Sequence, residues 1–525
     1  MRKYFIALVF IVSAGLAKAQ TLEEAIQLIK YERYESAKKI LLPLSANNPI
    51  ANYYLGVAEL GNDNANVNAA KAIFQKYPED VANMAGIARV MIIENKVPEA
   101  MSMLTKVAGK AKRKDYMPYK YAADAINYTE GGDPNVAVEW YKKAMEVERT
   151  GDLYIALGDV YRKIQGGGGN AMTNYEYAET FANTKAMANY KMGSLWYAAK
   201  NYDSALVKYA KASELDPKNP LPYNDLANAY NKINKYAKAK ENIELYLPLS
   251  DNTIDDQISY ANVLYLSKNY ADAINKMKDL IGKGAEKPYM YRVIGYSQYE
   301  TKDYVNAKIN MDKFFAKQEA KKIIPLDYFY YGKILLKDST TKGMANDQFL
   351  KGIAADTTTD KAATIRNIAE SYYEAEDYAT SAKWYKQLAE SNYASKEDRD
   401  FWWAGYMSYY SNDLATAEQM FTKYNQVNPT EPLGILWLGK TNEKAKDKDF
   451  KTGSASAFYN QWLGMVSESD AAKKKDFTKV YTYLAMVAYN ANKKDDVKKY
   501  ADKLLIFNPE DNTAKQLIDA LPKMK

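Results

Sequence analysis

The stretch YDSALVKY, from Tyr202 to Tyr209, places an alanine three residues after a tyrosine and a large side chain four residues after that alanine. The same arrangement recurs at intervals of 34 residues. The tyrosines are Tyr202, Tyr236, Tyr270 and Tyr304, the alanines are Ala205, Ala239, Ala273 and Ala307, and the large residues are Tyr209, Ile243, Met277 and Met311. A fixed period of this length indicates an array of small structural repeats.

The segment that precedes each tyrosine also repeats. YIALGDVY (154–161), YNDLANAY (223–230) and YRVIGYSQ (291–298) share one spacing of aromatic, aliphatic and small side chains. A small residue lets two helices approach closely, and large residues three and four apart lie on one helix face. Prolines such as Pro217 and Pro429 follow, where they end a helix. Each repeat is therefore predicted to be a pair of helices that packs against the next pair.

These residues resemble the tetratricopeptide repeat, whose pattern is W-x2-L-G-x2-Y…A-x3-F…P over about 34 residues. The resemblance is clearest at 150–320 and 362–440. It implies an all-α fold, a right-handed superhelical solenoid of about fourteen helix pairs followed by a capping helix at 512–521. Ser381 and Val497 replace the alanine in two of the repeats.

The quality of this match divides the chain into four segments. Residues 1–19 are predicted to be a signal peptide, 20–149 irregular hairpins that resemble the repeat, 150–440 the regular array, and 441–525 further hairpins with an insertion and the capping helix. The insertion, 440–456, is rich in Lys, Asp, Gly and Ser, and is predicted to be a mobile loop.

The N-terminal segment has the composition of an export signal. Arg2 and Lys3 precede an apolar run that is shorter than the roughly 20 residues of a membrane span. The AKA sequence at 17–19 is a small-residue cleavage site, so the mature chain is predicted to begin at Gln20. The protein is therefore expected to be exported without an integral membrane segment, and to be periplasmic or outer-membrane-associated in a Gram-negative bacterium.

Two residue types are absent from the sequence of 525 residues, which contains no Cys and no His. Disulfides, thiol nucleophiles and thiolate metal sites are thereby excluded, together with the commonest general base. We therefore predict no enzyme, no catalytic residue, no cofactor and no metal site. After removal of the signal, 69 basic residues face 65 acidic ones, a balance too mild to indicate nucleic-acid binding.

Two stretches carry the letters of a phosphate-binding loop. GILWLGKT (434–441) matches G-x-x-x-x-G-K-[ST], which functions only between a strand and a helix. The repeat phase instead places Gly439 at a helix crossing and continues the helix through Lys440, which is predicted to be exposed. QGGGGN (165–170) falls between the two helices of one hairpin, where glycine permits a longer turn. Neither stretch is predicted to bind a nucleotide.

The remaining candidate surface is the groove that the resemblance implies, lined by the first helix of each pair. Tyrosine, tryptophan and arginine dominate binding hot spots, and asparagine pairs with a peptide backbone as donor and acceptor. The residues predicted to face this groove and to bind a partner are Asn224, Asn228, Asn262, Tyr265, Arg292, Tyr296, Tyr299, Arg366, Tyr373, Trp402, Tyr406 and Tyr409. The alternative is that these side chains are buried against one another.

These observations favour an exported scaffold that binds a protein or an extended peptide, accessory to a cell-envelope assembly or secretion complex. Two alternatives stay open. A glycan or peptidoglycan binder would use the same aromatic side chains to stack on sugar rings. A carboxylate-dependent cell-wall enzyme, similar to the soluble lytic transglycosylases, would need a catalytic domain for which the repeats leave little room.

Overall fold

The structure, a computed structural model, describes residues 21–61 and 65–524. The predicted signal peptide and its cleavage site lie outside these residues. The described chain forms 29 α-helices and short 3-10 turns, without a β-sheet. None of the helices in this part of the chain has the length and apolar character that crossing a bilayer requires.

The helices follow one another as consecutive pairs, and a last helix stands alone. In chain order they are α1 (Leu22–Lys30) and α2 (Tyr34–Leu44), α3 (Pro49–Leu60) and α4 (Val67–Gln75), α5 (Val81–Ile93) and α6 (Val97–Ala108), α7 (Met117–Asn127) and α8 (Pro134–Val147), α9 (Gly151–Tyr161) and α10 (Gly168–Glu179), α11 (Lys185–Ala198) and α12 (Tyr202–Leu215), α13 (Leu221–Lys232) and α14 (Tyr236–Leu249), α15 (Ile254–Leu266) and α16 (Tyr270–Gly282), α17 (Pro288–Glu300) and α18 (Tyr304–Lys317), α19 (Pro325–Leu335) and α20 (Ala345–Ala355), α21 (Ala362–Glu374) and α22 (Tyr378–Ala389), α23 (Arg399–Tyr410) and α24 (Leu414–Val427), α25 (Pro432–Lys446) and α26 (Ser456–Met465), α27 (Lys474–Asn490) and α28 (Lys494–Phe507), and α29 (Asn512–Ala520).

The chain forms two compact units, whose boundary falls within α17. Unit 1 ends at Val293 and unit 2 begins at Ile294. Within each unit the helix pairs pack on the pairs that come before and after them in the sequence. Both units are therefore solenoids of helical hairpins, and the predicted all-α repeat fold is confirmed.

Local sequence explains where the helices begin and how the hairpins turn. The side chains of Thr21, Asn48 and Asp80 accept hydrogen bonds from backbone N–H groups in the first turns of α1, α3 and α5. Inside four successive hairpins the turn passes through the left-handed region, at the residues Lys200, Asn234, Lys268 and Lys302, with φ of 60°, 58°, 64° and 64°. The period of the sequence therefore persists in the backbone of the turns.

The alanine series forms the centre of each hairpin. Its four members, all with 0% exposure, are Ala205, Ala239, Ala273 and Ala307. A small residue on the first helix meets the large residue four positions after the alanine. A Cβ atom added at Gly193 would lie 2.6 Å from the ring of Tyr209, and one at Gly405 would lie 2.8 Å from the ring of Phe421. Glycine is therefore required by the close approach of the helices.

Candidate functional site

The first helices of neighbouring pairs contact one another. In unit 1, α5 contacts both α3 and α7, and α11 contacts both α9 and α13. In unit 2, α23 contacts α25. These contacts place side chains of neighbouring first helices side by side, and we call the surface formed by the first helices of each unit the first-helix face. All twelve residues predicted from the sequence lie on first helices, from α13 to α23.

In unit 1, three of the predicted residues remain partly exposed on α13 and α15. Asn224 and Asn262 are half-buried, and within the described residues no hydrogen bond holds either side chain. Their amides are therefore available to a partner as donor and acceptor. Tyr265 is also half-buried, and its ring centroid lies 5.9 Å from that of Tyr270.

The fourth predicted residue of unit 1, Asn228, belongs to a polar cluster. Its side chain and the hydroxyls of Tyr190 and Tyr209 are neighbours of the Asp225 carboxylate. Burial raises the pKa of Asp225, although these three polar neighbours act in the opposite direction. The cluster brings together side chains of α11, α12 and α13, and Asn228 is part of it.

On α17, the three predicted residues differ in exposure. Arg292 and Tyr299 are half-buried. Tyr296 is only 3% exposed, its hydroxyl donates a 2.6 Å hydrogen bond to the buried Asp327, and its ring stacks on Tyr330 at 3.9 Å. The expectation that Tyr296 faces an open groove is wrong, because its hydroxyl and ring join α17 to α19.

Arg366 is also committed to the fold. Its Nε and Nη2 atoms donate to the carboxylate of Asp400 at 3.0 and 2.8 Å, and the Asp400 side chain is 1% exposed. This bidentate pair raises the pKa of Arg366 and joins α21 to α23. Arg366 is therefore a link between successive first helices and not a free contact for a partner.

The densest feature of unit 2 is a cluster of aromatic rings. We call it the aromatic wall, and its members are Tyr373 of α21, Trp402, Trp403, Tyr406, Tyr409 and Tyr410 of α23, and Trp437 of α25. Ring centroids are 4.8 Å apart between Trp402 and Tyr406, and 4.9 Å apart between Tyr406 and Trp437. Tyr373 extends the cluster, 6.2 Å from Trp403. The wall thus runs without interruption across three successive first helices.

Exposure varies across the aromatic wall. Tyr373 and Tyr410 are 40% and 48% exposed, whereas Trp402 is 8% exposed and lies at the base. The prediction that Trp402 is open to a partner is therefore wrong, since its ring is covered by Tyr406 and Trp403. Burial raises the pKa of Tyr406, and the neighbouring hydroxyl of Tyr410 adds to the effect.

Sequence reasoning missed three members of the wall. Trp403, Tyr410 and Trp437 occupy positions that the repeat phase assigns to packing or leaves unassigned. The signal was nevertheless present, because the stretch FWWAGYMSYY (401–410) holds six aromatic residues in ten. Such a density exceeds what one buried stripe of a helix can accommodate.

Cations surround the aromatic wall. The Nζ atom of Lys444 lies 4.4 Å from the ring centroid of Tyr409 and donates to the Tyr409 carbonyl oxygen at 2.9 Å. The guanidinium carbon of Arg399 lies 5.7 Å from the ring of Trp402. Both positions allow cation–π attraction. The wall therefore combines apolar area with positive charge at its edge.

The two phosphate-like stretches are structural. Residues 434–441 lie inside α25, and a Cβ atom at Gly439 would be 2.5 Å from the ring of Tyr459, which confirms the predicted helix crossing. Lys440 is not exposed as predicted: its side chain is 15% exposed, its Nζ lies 2.8 Å from Asp476, and Trp437 packs beneath it. Of residues 165–170, the first three lie in the turn between α9 and α10, as the phase predicted, and 168–170 form the first turn of α10.

The insertion at 440–456 is largely ordered by hydrogen bonds, which corrects the prediction of a mobile loop. Its first residues complete α25, and the following turn wraps around the carboxylate of Asp447. Backbone N–H groups of residues 451–453 donate to this carboxylate at 2.7 to 2.8 Å, and the hydroxyl of Tyr483 donates at 2.6 Å. A buried acceptor that collects four donors fixes the path of the turn.

Parts of this chain are similar to known proteins. Residues 193–234 match the family model described as TPR repeat. The chain is similar to the C-terminal part of a TPR repeat-containing protein from Cytophaga hutchinsonii, with 24% identity, covering 50% of this chain and 99% of that chain, at a TM-score of 0.40. The chain is also similar to a tetratricopeptide repeat protein from Parabacteroides merdae, with 19% identity. That match covers 46% of this chain and 94% of that chain, at a TM-score of 0.34. A chain of the APC/C hetero-tetramer Cut9–Hcn1 shows 12% identity. That match covers 95% of this chain and 95% of that chain, at a TM-score of 0.31.

Proposed function

We propose that this chain, a tetratricopeptide repeat protein, is a scaffold that holds an extended segment of a partner protein along the aromatic wall of unit 2. Repeats of this type bind proteins or peptides on surfaces built from successive hairpins. The observation that carries the proposal is the exposure of Tyr373 and Tyr410 at the surface of an otherwise half-buried aromatic cluster. Solvent-exposed rings beside buried aromatic side chains provide apolar surface area that a partner can bury.

The chemistry of the wall indicates what the partner segment offers. Apolar or aromatic side chains would cover Tyr373 and Tyr410, whose hydroxyls can still reach polar groups. Lys444 and Arg399 lie at the edge, so carboxylates or backbone carbonyl oxygens of the partner would meet positive charge there. We therefore expect a segment that combines large apolar residues with acidic ones.

The arrangement of the rings favours a peptide over a glycan. Stacking on a sugar needs an open ring face, and several faces of the wall are covered. Trp403 stacks on Tyr385 with centroids 5.8 Å apart, and Trp437 stacks on Phe421 at 5.6 Å. These covered faces leave less area for a sugar, whereas tyrosine hydroxyls suit the polar groups of a peptide.

The proposal extends to the cellular setting. We infer an exported protein that acts in the periplasm or at the outer membrane, as an accessory to an envelope assembly or secretion complex. The support is the signal-like sequence at 1–19 together with a fold that serves as a scaffold. Mass spectrometry of the protein isolated from cells should find Gln20 at the N-terminus, and an intact Met1 would contradict export.

The binding proposal is tested by removing the two exposed rings. Peptides selected from a random display library on the purified protein serve as probes, and their affinity is measured by fluorescence anisotropy. Tyr373→Ala with Tyr410→Ala should weaken binding about thirtyfold, equivalent to about 2 kcal/mol, with unchanged circular dichroism.

The matched control is Tyr177→Ala with Tyr489→Ala, two tyrosines that are 54% and 40% exposed elsewhere in the chain. This variant should bind as the parent does. Equal losses in both double variants, or no loss in either, would show that the wall is not the site. Binding of purified peptidoglycan fragments that depends on Tyr373 and Tyr410, without peptide binding, would establish the glycan alternative instead.

A further inference from the structure

The second helix of unit 1 is capped from a distant part of the chain. The N-cap residue of α2, Arg33, accepts no hydrogen bond from the first-turn backbone N–H groups, although its guanidinium donates to the hydroxyl of Ser36 at 3.3 Å. The carboxylate of Asp251, which precedes α15, takes this role: it accepts the backbone N–H of Glu35 at 2.7 Å and the hydroxyl of Ser36 at 2.5 Å. A negative charge at a helix N-terminus satisfies free N–H groups and the helix dipole. The first hairpin thus depends on a residue 215 positions away.

Two further contacts join the same hairpin to the same part of unit 1. Lys30 pairs with Asp152 at 2.9 Å, in the first turn of α9. The hydroxyl of Tyr31 donates at 2.5 Å to Asp216, the C-cap residue of α12, in the turn that leads to α13. Burial raises the pKa of Tyr31, and the hydrogen bond to Asp216 adds to the effect. We call Asp152, Asp216 and Asp251 the rim carboxylates, because all three lie at the ends where first helices begin.

This contact is polar, unlike the contacts between neighbouring hairpins. The buried apolar cluster that contains Ala25, Ile40 and Leu41 continues into α3 and does not include residues of α9 to α15. The contacts described above between the α1–α2 turn and the rim carboxylates are hydrogen bonds and an ion pair. Such a contact can be exchanged for water without exposing a hydrophobic core, so it can open while the hairpins stay folded.

The charge at the tip of the turn acts on the polar cluster of the first-helix face. Glu32 occupies the tip in a left-handed conformation, with φ of 58°. The pKa of Tyr190, on α11, is raised by burial, then by the charge of Asp225 and that of Glu32. The electrostatic effect of the turn therefore extends to Tyr190.

We propose that the α1–α2 hairpin is a clasp, which docks on the three rim carboxylates to close unit 1 on itself and is released to open the first-helix face between α9 and α15. The inference concerns unit 1 and stands whether or not the aromatic wall of unit 2 binds a peptide. The occupant of the rim is a segment of the chain itself, the turn from Lys30 to Ser36.

The absence of cysteine makes the clasp directly measurable in the full chain. Spin labels are attached at Lys39→Cys and Lys218→Cys, two exposed positions on either side of the contact, and their distance distribution is recorded by pulsed electron paramagnetic resonance. The otherwise unchanged chain should give a short main distance. Asp251→Ala should add a longer population, at least about tenfold above that in the unchanged chain, with the same circular dichroism.

Two additional variants separate release of the clasp from general damage. Asp272→Ala removes an exposed first-turn carboxylate of α16 and should leave the distances unchanged. Tyr31→Phe with Ser36→Ala removes two donors on the hairpin side and should reproduce the effect of Asp251→Ala. A single short distance in every variant would overturn the proposal, because the contact would then be permanent. A broad, long distribution in the unchanged chain would overturn it as well, because no clasp would form.

Discussion

At the scale of single residues, the packing of the helices depends on glycines at positions where the two helices are too close for any side chain. Gly439 shows the effect most directly, because the ring of Tyr459 fills the space that its Cβ would occupy. The repeat phase predicted this crossing, and it also distinguished the glycine from a phosphate-binding residue. Packing at such a contact is so dense that one added methyl group must displace a ring.

Gly439→Ala is therefore expected to lower the free energy of unfolding by about 1–3 kcal/mol. The measurement is urea unfolding followed by circular dichroism. Gly464→Ala, on α26, is the matched control, since no atom lies within 4 Å of the added Cβ. It should be neutral or slightly stabilising, because alanine is the better helix former. Similar destabilisation by both substitutions would contradict steric exclusion at Gly439.

Asp447 gives a second prediction at this scale, on pH. Burial acts to raise its pKa, but the N–H groups of Thr452 and its neighbours, with the hydroxyl of Tyr483, bring the pKa below the ordinary value. A lowered pKa in the folded state means that the ionised carboxylate stabilises the fold above about pH 4. That contribution should diminish as the pH falls through the ordinary carboxyl range toward the lower folded pKa.

Asp447→Asn should cost about 1.5–3 kcal/mol at pH 7, because the charged hydrogen bonds are lost. The difference in free energy of unfolding between the parent and Asp447→Asn should narrow on titration from pH 7 to pH 3. Asp449→Asn is the control in the same turn, since its side chain is 79% exposed. A difference that stays constant with pH would show that folding does not lower the pKa of Asp447.

At the scale of helices, tyrosine hydroxyls bind carboxylates of adjacent helices. Examples with distances of 2.5 to 2.7 Å are Tyr175 with Asp159, Tyr246 with Asp256, Tyr296 with Asp327, and Tyr459 with Glu443. The sequence pattern predicted tyrosines as packing residues, and their rings do pack. It could not pair the hydroxyls, because the partner depends on how far one helix is rotated against the next, which a period of 34 residues does not specify.

Tyr296→Phe tests one such link between helices. Removal of the hydroxyl leaves the carboxylate of Asp327, which is 0% exposed, without one of its donors, and should cost about 1–3 kcal/mol of unfolding free energy. Tyr330→Phe is the comparison, because the Tyr330 hydroxyl donates to Glu300 at the protein surface. Its cost should stay below about 0.5 kcal/mol. The two variants retain the stacked pair of rings, so the difference isolates the buried hydrogen bond.

At the scale of the whole molecule, the sequence pattern predicts the packing within each repeat and between neighbouring repeats. It does not predict contacts between repeats that are far apart in the chain. Repeat spacing predicted the hairpins and the buried alanines. It did not predict that Tyr296 and Arg366 are used to join successive first helices. Nor did it predict the docking of Ser36 on Asp251, because contacts between residues so far apart in sequence leave no periodic trace.

The difference between neighbouring and distant repeats also predicts how far the destabilising effect of one substitution extends along the chain. Ala273 lies on α16 with 0% exposure, so Ala273→Leu overpacks one hairpin by three carbon atoms and should destabilise it by about 1–3 kcal/mol. In a solenoid each hairpin gains its stability from its own helices and from its neighbours. Hydrogen exchange followed by mass spectrometry should therefore show faster exchange in α13 to α16, while α21 to α28 keep their protection.

Ala271→Leu provides the matched control, because Ala271 lies on the same helix and is exposed. It should leave exchange unchanged throughout the chain. Peptide affinity at the aromatic wall should be the same in both variants, since the wall belongs to α21, α23 and α25. If Ala273→Leu accelerated exchange equally from α1 to α28, the hairpins would unfold as one cooperative block. The additive behaviour of stacked repeats would then not describe this molecule, and its stability would have to be treated as a single transition.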